Sequence, residues 1–150
     1  AQQALKEMRL LVFELRPTDQ LDEGLIDAIR KRLEAVEKRS GMETHLVVEG
    51  DLRLDDNVEV SIYRIVQEAL NNTLKHAGAK TVMVTIRQEW DTFDIEVADN
   101  GCGFNFKESL ESGGMGLASM LERTASLGGK MHVETEPGAG TRVRVTFGAL

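Results

Sequence analysis

Leu5, Met8, Val12 and Leu15 recur at steps of three, four and three, which predicts a helix over residues 1–16 with a narrow apolar seam of the kind that packs helices side by side. Pro17 stops it. Leu21, Leu25, Ile29, Leu33 and Val36 continue at helical steps and predict a second helix, with Asp22 available as its cap and Ser40-Gly41 as its end. The first seam is too short to fold alone. It either docks on its own domain or is the truncated end of a coiled coil or bundle.

A short strand is expected over residues 44–49, followed by a longer helix over 57–76 with Asp55 or Asp56 as N-cap and Gly78 at its end. The period then changes to two. Val82, Val84 and Ile86 alternate with polar residues, as do Phe93, Ile95 and Val97, and Trp90-Asp91-Thr92 between them reads as a hairpin connection. A Gly-rich stretch leads into a helical pattern over 115–127, which Gly128-Gly129 breaks. Met131 and Val133, then Val143, Val145 and Phe147, form a second pair of alternating strands joined by the turn-like 136–140. Strands apolar on one side need a cover on one face only. The pattern therefore predicts an α+β fold, a two-layer α/β sandwich with a mainly antiparallel sheet and its helices on one face.

Charge and composition narrow what such a sandwich can do. Eighteen Lys or Arg against 25 Asp or Glu give a net charge of −7, and no Lys/Arg cluster stands out, which argues against a nucleic-acid backbone as a direct partner. Any phosphate ligand must be held by local devices. The single Cys excludes an intrachain disulfide, and no apolar run approaches the roughly 20 residues that cross a bilayer, so this segment is expected to make no membrane contact. The chain opens AQQALKEMRL, with neither an initiator Met nor a signal-peptide pattern, and is expected to be a piece of something longer.

Three features depart from what a bland sandwich requires. On the 57–76 helix, Glu68, Asn72 and Lys75 fall within roughly 60° of one another at about 100° per residue, while Tyr63, Val66 and Leu70 take the opposite side. The stripe reads either as a solvated face with a weak charge pair or as a grip on a metal-bound phosphate. In the second reading the amide oxygen of Asn72 suits hard Mg²⁺, the Glu68 carboxylate orients a water or takes a proton, and Lys75 meets a phosphate. The second feature is Asp99, which parity with Phe93, Ile95 and Val97 puts on the apolar face unless the strand ends at Ala98 and leaves it in an Asp-Asn-Gly turn. On the core side it needs a partner, a backbone amide or a ligand. The third is glycine: Gly101 and Gly103, then Gly113, Gly114 and Gly116, bracket a stretch with little core pattern, and the second cluster opens a helix. Glycine admits a ligand close to the backbone, and a helix N-terminus favours phosphate. Cys102 between them reads as a tolerated small residue.

Glu68-Ala-Leu-Asn-Asn72-Thr-Leu-Lys75-His76, Asp99-Asn-Gly101-Cys-Gly103 and Gly114-Met-Gly116-Leu117 together resemble the N box and the two glycine boxes of the GHKL ATPases, in the order and spacing of bacterial sensor histidine kinases. Glu14-Leu15-Arg16-Pro17, the run 63–68, Glu122-Arg123 and Gly138-Ala-Gly140-Thr141 are similar to the subfamily that signals to response regulators with a LuxR-type DNA-binding domain. The resemblance covers essentially the whole chain.

It implies Mg-ATP as ligand. Asn72 would be the Mg²⁺ ligand, with Glu68 also at the metal as base or residue orienting a metal-bound water, and Lys75 and His76 near the phosphates. Asp99 would accept the adenine amino group, Gly101 and Gly103 would let the chain pass the base, Gly114, Gly116 and Leu117 would anchor a mobile lid, and Thr141 would lie at the adenine end. Two departures stand out. The lid lacks a separate phenylalanine-containing box, although Phe104 and Phe106 lie in the interval, and the phosphoacceptor is missing. His45 and His132 sit in strand patterns and His76 in the N box, so none has an acceptor's setting.

Residues 1–17 then resemble the end of a dimerisation and phosphoacceptor helix, and 18–150 an ATP-binding catalytic domain. The implied protein is a cytoplasmic histidine kinase module of a two-component system, homodimeric at full length, with a membrane anchor left open. Two alternatives share the resemblance: a GHKL-type serine kinase of the anti-sigma class, and a non-catalytic nucleotide-binding module.

Overall fold

The computed structural model describes residues 23–113 and 116–148. The predicted first helix, the Pro17 stop and the Asp22 cap lie outside the described residues. In chain order the elements are α1 (Leu25–Ser40), β1 (Glu43–Glu49), α2 (Asp56–Asn72), a π-helical turn (Thr73–Ala77), β2 (Thr81–Glu89), β3 (Thr92–Asp99), α3 (Phe106–Ser112), α4 (Leu117–Ser126), β4 (Lys130–Thr135) and β5 (Thr141–Gly148).

The strands form one sheet in the order β1-β2-β3-β5-β4. β1 and β2 run parallel because α2 crosses between them, and the other pairs are antiparallel. Val82, Val84, Ile86, Phe93, Ile95, Val97, Val143, Val145 and Phe147 all point to one side and are buried. Against them pack Ile29, Leu33 and Val36 of α1, Ile62, Ile65, Val66 and Leu70 of α2, and Leu117 and Met120 of α4. Each large side chain buried this way contributes about 1.5–3 kcal/mol. The opposite face is polar and laced by ion pairs: Arg87 with Glu49 (2.7 Å), Arg144 with Asp94 (2.7 Å) and Arg142 with Glu96 (3.5 Å). The expected two-layer sandwich, covered on one side, is what the chain forms. Among the described residues no helix is long and apolar enough to cross a membrane.

Three local expectations are corrected. α1 starts at Leu25, not near Leu21; Gly24 takes the N-cap position without a side-chain bond, and the Leu25 N–H donates instead to Glu59 Oε2 on α2 at 3.0 Å. A distant carboxylate thus does a cap's work and ties the two helices together. The long helix does not keep one winding to residue 76: α-geometry stops at Asn72, and a π turn runs on to Gly78, which adopts the left-handed conformation (φ 56°) that ends it. The stretch between the glycine clusters contains α3, seven residues long. Its signal is local rather than apolar, since the Asn105 side chain accepts from the Glu108 N–H at 3.0 Å and caps the first turn.

Candidate functional site

The end of α2, the ends of β3 and β5, and the start of α4 border a narrow cleft. Ala69, Asn72, Thr73, Val97, Asp99, Gly103, Phe104, Leu117, Thr141 and Val143 line it.

Strand register sets its inner end. β3 includes Asp99, paired with Val82 on β2 and Thr141 on β5, so the carboxylate does emerge on the core face. Asp99 Oδ1 accepts from the Gly101 N–H at 2.8 Å and Oδ2 from the Thr73 hydroxyl at 3.1 Å. A carboxylate has about four acceptor positions. Two internal donors hold it without exhausting it, and what remains can accept from a ligand. Asn100 fixes the chain just beyond: its Oδ1 accepts from the N–H groups of Lys80 (2.8 Å) and Thr81 (2.9 Å).

Close backbone approach explains the glycines. Gly103 has φ +66°, and a Cβ there would sit 2.0 Å from the Glu136 carbonyl oxygen. Gly140, at φ +78°, would bring a Cβ to 2.5 Å from the Asp99 carbonyl oxygen. The glycine requirement at 103 thus follows already from packing against the β4–β5 turn, whose Gly138 N–H donates to the Cys102 carbonyl. Thr135 locks the same corner. Its hydroxyl accepts from the Phe104 N–H at 3.0 Å and lies 3.0 Å from the Thr141 hydroxyl.

Not every predicted site residue reaches this cleft. Asn72, Asp99, Gly103, Leu117 and Thr141 line it together, with Gly101 bound to Asp99 at its edge. Glu68 lies one turn back on α2, where a Cβ on Gly116 would meet its Oε1 at 2.1 Å. It lines an adjoining groove with Arg64, Gln67, Asn71, Ser119, Met120 and Arg123. Lys75 is exposed on the π turn and lines neither space, because the altered winding after Asn72 breaks the helical phase that would align it with Glu68. Gly114 and the His76 side chain lie outside the described parts. His45 and His132 are exposed on strands beside Glu43 (3.0 Å) and Glu134 (3.8 Å).

Two hydroxyls join the site to which the motifs assign no role. Thr135 continues the parity of Met131 and Val133 on β4, the same signal that singles out Asp99. Thr73 carries no such signal, since it adjoins the polar stripe and becomes a partner of Asp99 only through the packing of α2 on β3.

A one-sided, mainly antiparallel sheet with a carboxylate-ended cleft beneath its helices defines an α/β-sandwich ligand-binding domain. The chain belongs to the histidine kinase-, DNA gyrase B- and HSP90-like ATPase family, whose pattern matches residues 57–149. It is 35% identical over 146 residues to the signal transduction histidine-protein kinase/phosphatase DegS of Brevibacillus brevis, covering 96% of this chain and 37% of that one. It is 33% identical over 144 residues to the sensor protein VraS of Staphylococcus haemolyticus, covering 96% and 41%. The chain thus spans about two fifths of the curated relatives it matches. The ATP binding domain of PrrB from Mycobacterium tuberculosis shares the fold, with a TM-score of 0.70 at 19% identity over 89% of this chain and 99% of that one. The fold is that of the GHKL ATPases.

Proposed function

We propose that this chain is the catalytic part of a two-component sensor histidine kinase, which binds Mg-ATP and passes its γ-phosphate to a histidine on a dimerisation domain of the same protein. In this reading residues 18–150 form the ATP-binding domain and 1–17 the end of the dimerisation helix. The full-length protein is a homodimer whose catalytic part works in the cytoplasm and serves a response regulator with a LuxR-type DNA-binding domain.

The observation that carries the reading is the convergence of Asp99, Asn72, Gly103, Leu117 and Thr141 on one cleft. Asp99 accepts the adenine amino group with the lone pairs that Gly101 and Thr73 leave. Asn72 lines the cleft, and an amide oxygen is a donor that suits hard Mg²⁺. Asn72 would supply an amide oxygen to Mg²⁺, with Glu68 near, and the ion when bound would neutralise phosphate charge. Lys75, His76, Gly114 and Gly116 serve the phosphate end. As the acceptor imidazole nitrogen bonds to the γ-phosphorus, the bond to the bridging oxygen breaks, ADP leaves, and the imidazole N–H proton passes to Glu68. Positioning and charge neutralisation supply most of the rate. The name of the DegS relative, a histidine-protein kinase/phosphatase, favours a histidine over a serine acceptor, and the sequence around the boxes favours this class of regulator.

Calorimetry with a non-hydrolysable ATP analogue, with and without Mg²⁺, tests the binding; no heat in either case overturns it. Radiolabelled ATP and a supplied dimerisation domain test the transfer. Acid-labile, base-stable label on that partner marks phosphohistidine, whereas acid-stable label on a Ser-containing partner would turn the reading to the serine kinase.

A further inference from the structure

The groove beside Glu68 carries two cations that pair with no carboxylate among the described residues. Arg64 on α2 and Arg123 on α4 are both half-buried and both line it, and neither forms an ion pair or hydrogen bond among the described residues. The chain's net charge is −7, and among the described residues five other arginines pair with a carboxylate: Arg30 with Asp27, Arg53 with Asp51, Arg87 with Glu49, Arg142 with Glu96 and Arg144 with Asp94. The rest of the lining adds neutral donors. Gln67 and Ser119 are there, and Asn71, whose amide oxygen is taken by Arg32 Nη2 at 2.6 Å, still has its NH₂ group to give. Glu68 is the single carboxylate in the wall, and its carboxyl lies against Gly116.

Guanidinium groups bind carboxylates through two parallel N–H···O bonds and lose much by being covered without a counter-charge. Whatever covers this groove must therefore bring an acidic group. We propose that the α2–α4 groove seats the acceptor-bearing segment of the dimerisation domain, by pairing one of its carboxylates with Arg64 and Arg123. The proposal rests on the kinase reading, which requires an acceptor to arrive beside Glu68, and Glu68 lines this groove. The segment that delivers the imidazole crosses the groove's mouth, and the arginine pair fixes its register while the nucleotide is held separately in the neighbouring cleft.

The test is transfer to the protein's own dimerisation domain, supplied in trans, by Arg64→Gln, Arg123→Gln and the double variant, together with titrations of ADP and a non-hydrolysable ATP analogue. The expected result is a KM for the acceptor domain raised roughly tenfold or more in the double variant, with both nucleotide affinities within about twofold of wild type. The salt dependence of KM should flatten as the charge pair is lost. Arg123→Lys keeps the charge without the fork and should fall between. An unchanged KM overturns the proposal. A weakened ATP analogue with ADP unaffected also overturns it, since the arginines would then hold the terminal phosphate. Should the double variant misfold, the single Arg→Gln variants, each expected to raise KM several-fold, decide by the same criteria. Failure of the wild-type chain to bind or transfer would strike the kinase reading itself, a result visible before any variant is made.

Discussion

The Thr73 hydroxyl stands 3.1 Å from Asp99 Oδ2 and 3.1 Å from the Ala69 carbonyl oxygen, with one proton to give. It serves the carboxylate or the helix, not both at once. Thr73→Val keeps the shape of this buried side chain and deletes the donor, leaving Asp99 with the Gly101 N–H alone. Binding of an ATP analogue should weaken by up to about 1.5–3 kcal/mol, the worth of a hydrogen bond to a charged group. Thr73→Ser should restore most of it, and calorimetry on the pair is the check. Wild-type affinity in the valine variant would leave Thr73 a purely structural residue.

Asp99 itself should decide base identity. A carboxylate accepts from the adenine amino group and repels the carbonyl that guanine presents at the equivalent place. ATP should therefore outcompete GTP strongly, and Asp99→Asn, which can turn a donor toward the base, should weaken ATP binding and narrow the preference. Competition titrations measure both. Equal competition by GTP against the unmodified domain would refute the role.

Asp99 was legible as one of two readings, since parity puts its side chain on the core face only if the strand lasts to residue 99, which it does. The helix stripe was legible only as far as α-geometry lasts. Glu68 and Asn72 share it, but the π turn that begins at Thr73 changes the winding, and no apolar pattern announces such a turn. Lys75 falls outside the cleft for that reason. α3 was hidden because none of its residues is buried, so its only trace is the Asn105 to Glu108 cap. Thr73 was illegible because its partnership with Asp99 spans 26 residues and exists only once α2 lies on β3.

On the opposite face of the sheet, Asp94 offers a pH-dependent contribution to stability that leaves the cleft alone. Burial works against its ionisation, but the Arg144 and Thr146 hydrogen bonds and the charges of Arg144 and Arg87 outweigh it and hold the carboxyl below the usual carboxylate range. A group more acidic in the folded state binds fewer protons there than in the unfolded chain. Its stabilisation is present above the unfolded value, near pH 4, and is lost as pH falls through the folded one. Asp94→Asn should cost no more than about 1 kcal/mol at neutral pH, because Arg144 is half exposed and screened. Urea melts from pH 7 down to pH 3 should show wild type and variant converging, with nucleotide affinity unchanged.

Gly103→Ala tests the corner formed by the β4–β5 turn. The new Cβ would meet a backbone carbonyl, that of Glu136, at 2.0 Å in a chain held at φ +66°. Backbone cannot step aside as a side chain can, so the strain and the overpacking both fall on the fold, at about 2–4 kcal/mol together. Denaturant unfolding should register the loss with or without nucleotide. A variant as stable as wild type would mean that the turn yields and that the glycine answers to the ligand alone.

Gly116→Ala puts the contrasting case, because the atom its Cβ would meet is Glu68 Oε1, at 2.1 Å, with the rest of that side chain close behind. A glutamate can swing away, so the steric part of the cost is relieved by moving the carboxylate, and about 1 kcal/mol of left-handed strain at φ +61° is what stability loses. The displaced group is the proposed proton acceptor. Transfer to a supplied dimerisation domain should therefore fall roughly tenfold or more in kcat, while the affinity for ADP, which lacks the γ-phosphate whose transfer Glu68 is proposed to assist, stays within about twofold. Single-turnover labelling beside an ADP titration separates the two. A kcat that holds while ADP binding collapses would mean that Gly116 acts on the phosphates ADP retains and not through Glu68.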